Sequence, residues 1–305
     1  MPPSTSSSDA ALTARGATKR YRRRGPAALD DCTFAIPAGV VCALVGANGA
    51  GKSTLLEMAV GMEQPTGGTV EVFGEPARAG HPRVAYLAQD RPLFPRLTVA
   101  ETLRYGARAN QGNWDAELAE RAADLPRFHR RERIGDLSGG QRTRVALALA
   151  LGKRADLLLL DEPMADLDVR SRQEVMGLLM AHVTDTGSTV IMSSHIISEL
   201  SDVCDHLLVL DQGRARLCGD IEELLAHHAV VTFSGGADRL VGHTVLESRP
   251  AGRGTSALIR TTAPTPDDWE VRSPSLEELV LAGLAAPGVS DLVLSPVPHA
   301  KESAA

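Results

Sequence analysis

The strongest constraint on the fold is the stretch GANGAGKST at positions 46–54, which matches the phosphate-binding pattern GxxxxGK[S/T]. Such a loop works between a buried strand and the start of a helix, because its glycines let backbone N–H groups converge on an anion. The flanking sequence meets that demand. The apolar run VVCALV precedes the loop, and the helix-like segment KSTLLEMAVG begins at its end. The loop therefore predicts an α/β fold that binds phosphate at a helix N-terminus.

Composition and charge narrow the function classes. The formal net charge of −6 argues against a protein whose partner is nucleic acid. Four cysteines without a CxxC pair predict reduced thiols. His227 and His228 have no cysteine or acid at ligand spacing, so we expect no metal there. No run approaches the ~18 apolar residues of a membrane span, so any membrane partner must be a separate protein.

Apolar runs alternate with helical segments along most of the chain, which predicts a largely parallel sheet of the P-loop NTPase type with an N-terminal antiparallel β part. Helix signals dominate from about 90 to 152, where Thr98 and Glu101 form a capping box, and predict an inserted helical subdomain. From about 229, short strand-like pieces and the helix SLEELVLAGL predict a small accessory α+β domain. The expected boundaries are a flexible tail at 1–11, the main domain at 12–228, the accessory domain at 229–286 and a loose tail at 287–305.

Two acids follow the apolar strand LLLL directly, in the stretch LLLLDEP. At a strand end level with the phosphate loop, Asp161 is placed to hold Mg²⁺ through water, and Glu162 to accept a proton from an attacking water. Gln89 and His195 end two further strand-like runs, VAYLAQ and VIMSSH. Taken alone, each is an ordinary polar residue at a strand end, and the two gain weight only from the pattern that they complete.

That pattern includes a second glycine-rich stretch, LSGGQ at 137–141. The order of phosphate loop, strand-end glutamine, LSGGQ, LLLLDEP and strand-end histidine resembles the ATP-binding cassette of ABC transporters. The resemblance covers about 12–225 and implies ATP and Mg²⁺ as cofactors and ATP hydrolysis as the reaction. In this family LSGGQ caps the nucleotide held by a second copy of the cassette, which explains why one chain has two such loops.

The resemblance also implies a role for individual residues. Glu162 would be the catalytic base, His195 would hold the γ-phosphate, and Gln89 would sense that phosphate and couple to the membrane partner. Asp168 matches a loop that contacts the opposite site. Metal ligation would involve Ser53, Gln89 and Asp161. Tyr21 would stack on adenine, and the implied nucleotide-binding residues are Tyr21, Gly46, Asn48, Gly49, Ala50, Gly51, Lys52, Ser53, Thr54, Ser138, Gly139, Gly140 and Gln141.

Three positions depart from the usual family pattern. Ala47 replaces a common proline, Thr143 stands where glutamine is frequent, and the segment around Asp166 is bulkier and more charged than usual. None of these changes removes a charged or metal-binding group, so we expect an active ATPase. The change at Asp166 puts communication between subunits in question.

The resemblance implies an ATPase subunit that dimerises around two ATP molecules and powers a separate membrane permease. We expect a homodimer at the cytoplasmic face of the cell membrane, held there through the permease. The C-terminal segment SLEELVLAGL resembles the end of ATPase subunits in bacterial exporters of drugs or antibiotics, which predicts export, with import as the second direction. The alternative is a non-transport ABC ATPase acting on ribosomes or DNA, which usually has two cassettes or a long coiled coil.

Overall fold

The computed structural model describes residues 10–22, 25–123, 129–194, 203–261 and 264–285. A six-stranded sheet forms its centre, in the order β10-β9-β3-β8-β7-β6. Strands β9, β3, β8, β7 and β6 run parallel, and β10 pairs antiparallel with β9. The strands are β3 (Val41–Val45), β6 (Val84–Leu87), β7 (Leu157–Leu160), β8 (Thr189–Ser194), β9 (His206–Asp211) and β10 (Arg214–Asp220). Their apolar runs are buried along nearly their whole length, as expected for strands covered on both faces.

A second, antiparallel sheet contains the N-terminal strands in the order β2-β1-β4-β5. These are β1 (Ala10–Lys19), β2 (Leu29–Pro37), β4 (Gly67–Val72) and β5 (Glu75–Pro76). Leu12 pairs with Ile36 on one side and with Val72 on the other, and all three side chains are buried in one core with helix α1 (Lys52–Ala59). This sheet begins at Ala10, so residues 10 and 11 belong to a strand and not to the expected flexible tail. Ala10 and Ala11 are held in the sheet because β1 pairs with both β2 and β4.

The helical insert contains α2 (Val99–Ala109), α3 (Ala116–Ala123) and α4 (Gly139–Gly152), with 3₁₀ turns at His129–Arg131 and Ile134–Asp136. Thr98 caps α2 as predicted. Its side chain accepts a bond from the Glu101 N–H, and the Glu101 carboxylate accepts one from the Thr98 N–H at 2.8 Å. Helix α5 (Val169–Thr186) returns the chain to the central sheet, where Val175 and Leu179 are buried.

The C-terminal region forms a third sheet, in the order β12-β13-β11-β14, after the short helix α6 (Ile221–Ala226). Its strands are β11 (His228–Ser234), β12 (Thr244–Ala251), β13 (Gly254–Arg260) and β14 (Glu270–Arg272), with a 3₁₀ turn at Ala237–Leu240. The last helix, α7 (Leu276–Ala285), packs back onto the core of the central sheet. Leu279, Val280 and Ala282 are fully buried there, so this region shares a core with the part before it. Within the described ranges, no helix combines the length and apolarity needed to cross a bilayer.

Candidate phosphate and metal site

The phosphate loop lies between β3 and α1, as the sequence predicted, and forms one wall of a cavity of about 380 Å³. Gly49 and Gly51 have φ values of +83° and +107°, which side-chain-bearing residues rarely adopt. A Cβ on Gly51 would also lie 2.5 Å from the Ala28 carbonyl oxygen. The cavity is lined by Ala28, Asn48, Gly49, Gly51, Lys52, Ser53, Thr54, Gln89, Asp161 and Glu162. The fold thus brings the strand-end glutamine and both acids to the phosphate loop.

Lys52 is the cation of this cavity. Its side chain is folded over the loop, where Nζ donates to the carbonyl oxygens of Gly46 at 2.7 Å and Ala47 at 3.4 Å. Burial lowers the pKa of Lys52, and the nearby carboxylates of Glu162 and Asp161 oppose that shift. The same two acidic residues line the cavity together with Lys52, so the site holds both the positive charge that a phosphate needs and the oxygens that a cation needs.

Asp161 follows β7 and is 1% exposed. Its Oδ1 accepts a 2.6 Å hydrogen bond from Ser193 Oγ, whereas its Oδ2 has no hydrogen-bond partner in the part of the chain that the structure describes. An orphaned buried carboxylate oxygen is costly unless a ligand satisfies it. Because this side chain lines the cavity together with Ser53 and Gln89, which also offer oxygen atoms, the residues present fit Mg²⁺.

Glu162 has an unusual backbone. Its φ of +49° places it in the left-handed region, where a residue with a side chain is strained and needs outside support. The Glu162 N–H donates to Ser193 Oγ at 2.8 Å, and the Glu162 carbonyl accepts a bond from Arg91 at 3.3 Å. The strained turn directs the carboxylate to the cavity beside Asp161, where it is placed to accept a proton from water.

Ser193 is a site residue that the sequence analysis did not single out. It lies in β8, which pairs in parallel with β7 so that Leu160 is opposite Met192 and the next residues, Asp161 and Ser193, are neighbours. One hydroxyl group therefore joins the backbone of Glu162 to the side chain of Asp161. The sequence does show that Ser193 is a polar residue at the end of an apolar strand, as Gln89 is.

Tyr21 lies next to the phosphate end of α1. Its hydroxyl is 3.4 Å from Thr54 Oγ1. The ring is 56% exposed, and Lys19 Nζ lies 5.2 Å from its centroid. Tyr21 is not among the described residues that line the cavity, so its stacking on adenine stays a prediction.

The LSGGQ stretch forms the N-terminus of α4. Ser138 is the N-cap, its hydroxyl accepts a bond from the Gln141 N–H at 3.2 Å, and the Gln141 side chain accepts one from the Ser138 N–H at 2.9 Å. Gly139 and Gly140 lie against Asp166, and a Cβ on Gly140 would be 3.0 Å from the Asp166 carbonyl oxygen. Of the described residues that line the phosphate cavity of the same chain, none belongs to 138–141.

Three other residues that the sequence predicted remain to be placed: Asp168, His195 and Ala50. Asp168 is the N-cap of α5, where it accepts bonds from the Ser171 N–H at 2.9 Å and the Ser171 hydroxyl at 3.1 Å. These bonds lower the pKa of Asp168, so its carboxylate is kept charged at the start of the helix. His195 lies outside the described residues. Ala50 is buried beside Gly46 in the phosphate loop.

Comparison with known proteins agrees with this geometry. The ABC transporter family model matches residues 29–165. An ATP-binding protein for sulfate/thiosulfate import from Mycolicibacterium paratuberculosis is 34% identical over 79% of this chain and 69% of its own length. One for aliphatic sulfonates import from Burkholderia cenocepacia is 33% identical over 80% of each chain.

Among solved structures, a bacterial Atm1-family ABC exporter with ATP bound matches with a TM-score of 0.63. It is 29% identical, and the match covers 74% of this chain and 41% of the exporter chain. Members of the family bind ATP with Mg²⁺ and work as dimers with a membrane permease. The relatives from Mycolicibacterium and Burkholderia are import proteins, so they do not support the prediction of a drug exporter. The chain belongs to the ATP-binding subunits of ABC transporters, and its reaction is ATP hydrolysis coupled to transport.

Proposed function

We propose a division of roles within the phosphate cavity. Lys52 and the loop amides bind the terminal phosphates, and the positive end of α1 adds to that attraction. Ser53, Gln89 and Asp161 hold Mg²⁺, which neutralises phosphate charge when it is bound. Glu162 takes the proton of the attacking water. The observation that carries this proposal is the pair of carboxylates opposite Lys52, one with a buried oxygen that no described group satisfies.

We further propose that each complete site needs two copies of this chain. Ser138 is exposed at the N-terminus of α4, where a helix dipole and free N–H groups attract anions, yet it does not line the cavity of its own chain. A second copy would bring these groups to the opposite side of the nucleotide. The two copies would form a homodimer, because one chain supplies both halves of the site.

Two substitutions separate the role of Lys52 from that of Ser138. Lys52→Ala should abolish tight nucleotide binding by the single chain, because the cavity then has no cation. Ser138→Arg should leave that binding within about twofold, because the residue lies elsewhere, but it should stop turnover by blocking the second copy. Binding is measured by fluorescence titration with a labelled ATP analogue, and turnover by phosphate release. Loss of binding by Ser138→Arg as large as that of Lys52→Ala would contradict the two-chain site.

The role of Glu162 has its own test. Glu162→Gln keeps the size of the side chain but cannot take a proton, so it should bind MgATP and remain dimeric without hydrolysing it. Size-exclusion chromatography with and without MgATP measures the dimer. Hydrolysis at the native rate would remove Glu162 from the role of base, and a monomer with uncleaved nucleotide would contradict the ATP-stabilised dimer.

We propose import as the direction of transport, because the two curated relatives are import proteins that match 79–80% of this chain. Export is the second candidate, and the segment SLEELVLAGL at 275–284 favours it. The permease partner should be reconstituted with this chain in vesicles that expose the ATPase outside. With ATP outside, an importer releases its substrate from the vesicle lumen, and an exporter fills the lumen. Labelled sulfate and an alkanesulfonate are the first substrates to test.

The place of the protein in the cell follows from this proposal. A permease partner would hold the chain peripherally at the cytoplasmic face of the membrane, and residues 229–285 would be an accessory unit docked through α7. Cell fractionation with and without the permease tests this. Association with membranes should require the permease, whereas association with ribosomes or DNA in its absence would favour the non-transport alternative.

A further inference from the structure

Arg91 joins two loops that are 75 residues apart in sequence. It lies two residues after Gln89, and its side chain is only 12% exposed. One end of its guanidinium group forms an ion pair with the Asp166 carboxylate, and the other donates to the carbonyl oxygen of Glu162 at 3.3 Å. The segment that carries Gln89 is thus tied directly to the segment that carries the two acids.

The bond to Glu162 matters because that residue is strained. A left-handed backbone at a residue with a side chain costs about 1–3 kcal/mol, and it persists only when the surroundings hold it. At Glu162 the N–H is held by Ser193, and the carbonyl oxygen accepts bonds from Arg91 and from the Ala165 N–H, each at 3.3 Å. Removing the Ser193 or the Arg91 contact weakens the support on one side of this strained residue, so the carboxylate can shift from its place. Arg91 therefore acts on the orientation of Glu162 without itself lining the cavity.

The second contact, to Asp166, connects the same guanidinium group to the LSGGQ helix. Asp166 touches the start of α4, where its side-chain atoms would be 3.5 Å from a Cβ on Gly139. Its carboxylate is half-exposed, at 48%. An unpaired acid here would repel a phosphate approaching the helix N-terminus, and Arg91 neutralises it. This arginine explains how the chain accommodates the acidic residue at a position where the family usually has a small one.

We propose that Arg91 is a positioning residue for hydrolysis, which transmits a displacement of the segment after Gln89 to the peptide of Glu162 and to the loop at Asp166. This inference rests on the proposed role of Glu162 as the base. Arg91 affects the chemical step and not nucleotide binding, because it touches neither Lys52 nor the phosphate loop in the described structure.

The test separates hydrolysis from binding in matched variants. Arg91→Ala should lower the single-turnover rate of MgATP hydrolysis by about tenfold or more, since small displacements of a reacting group have effects of this size. Its Kd for a labelled ATP analogue should stay within about twofold. Arg83→Ala is the matched control, because Arg83 forms a similar ion pair with Asp156 outside the cavity and should leave both quantities unchanged.

Two further variants keep the inference falsifiable if Arg91→Ala unfolds. Arg91→Lys retains the charge but has one compact ammonium group, which cannot bridge two acceptors as a guanidinium fork does, so its rate should be intermediate. Asp166→Asn removes the ion pair and leaves the bond to Glu162, so it should lose less activity than Arg91→Ala. A native rate in Arg91→Lys, or an affinity loss in Arg91→Ala equal to its rate loss, would overturn the proposal.

A double variant distinguishes this inference from the proposed function. In a Glu162→Gln background, Arg91→Ala should cause no further loss of rate, because the residue that it positions is already inactive. If Glu162→Gln hydrolyses ATP normally, the role of Glu162 is wrong whatever Arg91 does. If Glu162→Gln is inactive but Arg91→Ala retains the native rate, the base assignment holds and only the role of Arg91 is rejected.

Discussion

Ser193 provides the sharpest test of the site, because one buried hydroxyl supports both acids. Ser193→Ala removes a 2.6 Å bond to the charged Asp161 carboxylate and leaves the buried Glu162 N–H without its acceptor. A bond to a charged group contributes about 1.5–3 kcal/mol, and an unsatisfied buried donor costs about 1–3 kcal/mol. Because relaxation recovers part of this, we expect the free energy of unfolding to fall by about 3 kcal/mol.

The control for Ser193→Ala is a second buried serine near β8. Ser188 Oγ donates to the Ala155 carbonyl at 3.1 Å and lies 2.7 Å from Thr186 Oγ1, so it makes only neutral contacts away from the cavity. Ser188→Ala should cost about 1 kcal/mol. Urea unfolding followed by circular dichroism measures both variants, and the slope of the transition must be unchanged for the comparison to hold.

Ser193→Ala should also slow ATP hydrolysis. Without Ser193 the Glu162 N–H loses its acceptor, and we expect the turnover rate at saturating MgATP to fall by about tenfold or more. The Mg²⁺ concentration for half-maximal rate should rise, since Asp161 loses the bond that orients it. If Ser193→Ala is no less stable than Ser188→Ala and turns over at the native rate, the hydroxyl does not support the two acids and our account of the site is wrong.

Three further predictions concern the packing of two helices and one ion pair of α7. Leu279→Ala should lower the free energy of unfolding by about 2–5 kcal/mol in the main urea transition, because this α7 side chain is fully buried in the central core. The control is Leu281→Ala. The Leu281 side chain is 53% exposed, so its loss should change the free energy of unfolding by less than ~0.5 kcal/mol. Gly106→Ala should destabilise the insert by about 1–3 kcal/mol, since the added methyl would lie within 3.0 Å of side chains outside α2, and a native melting temperature would contradict that packing. Glu278 has a pKa lowered to about 2, chiefly by Arg272, so its contribution to stability is present above its ordinary value of 4.5 and is lost as the pH falls towards 2. The stability difference between Glu278→Gln and the native chain should therefore shrink over that range, and because the carboxylate is partly exposed the difference should be small at any pH.

Local features of the fold were predictable from the sequence because they depend on neighbouring residues. The phosphate loop requires a strand before it and a helix after it, and both are present. The capping box of Thr98 and Glu101 has the expected reciprocal bonds. The residue at which the N-terminal sheet begins was not predictable from neighbouring residues. Ala10 joins a strand because Pro37, far along the chain, pairs with it.

The composition of the cavity was predictable in part. The motifs identified Lys52, Asp161 and Glu162, which the fold does bring together. They did not reveal the left-handed backbone of Glu162, because the letters DEP are compatible with ordinary φ values. They also missed Ser193 and Arg91, whose roles depend on which strands are neighbours.

The order of strands explains how these supports converge on Glu162. Strand β7, which leads into the acids, lies between β6 and β8 in the sheet, and all three run parallel. Their carboxyl ends therefore meet at one edge, where β8 supplies Ser193 and the loop after β6 supplies Gln89 and Arg91. A sheet with the same strands in another order would keep every motif in the sequence but would leave the Glu162 backbone without its bonds to Ser193 and Arg91. The geometry of hydrolysis in this chain consequently depends on topology as much as on the motifs themselves.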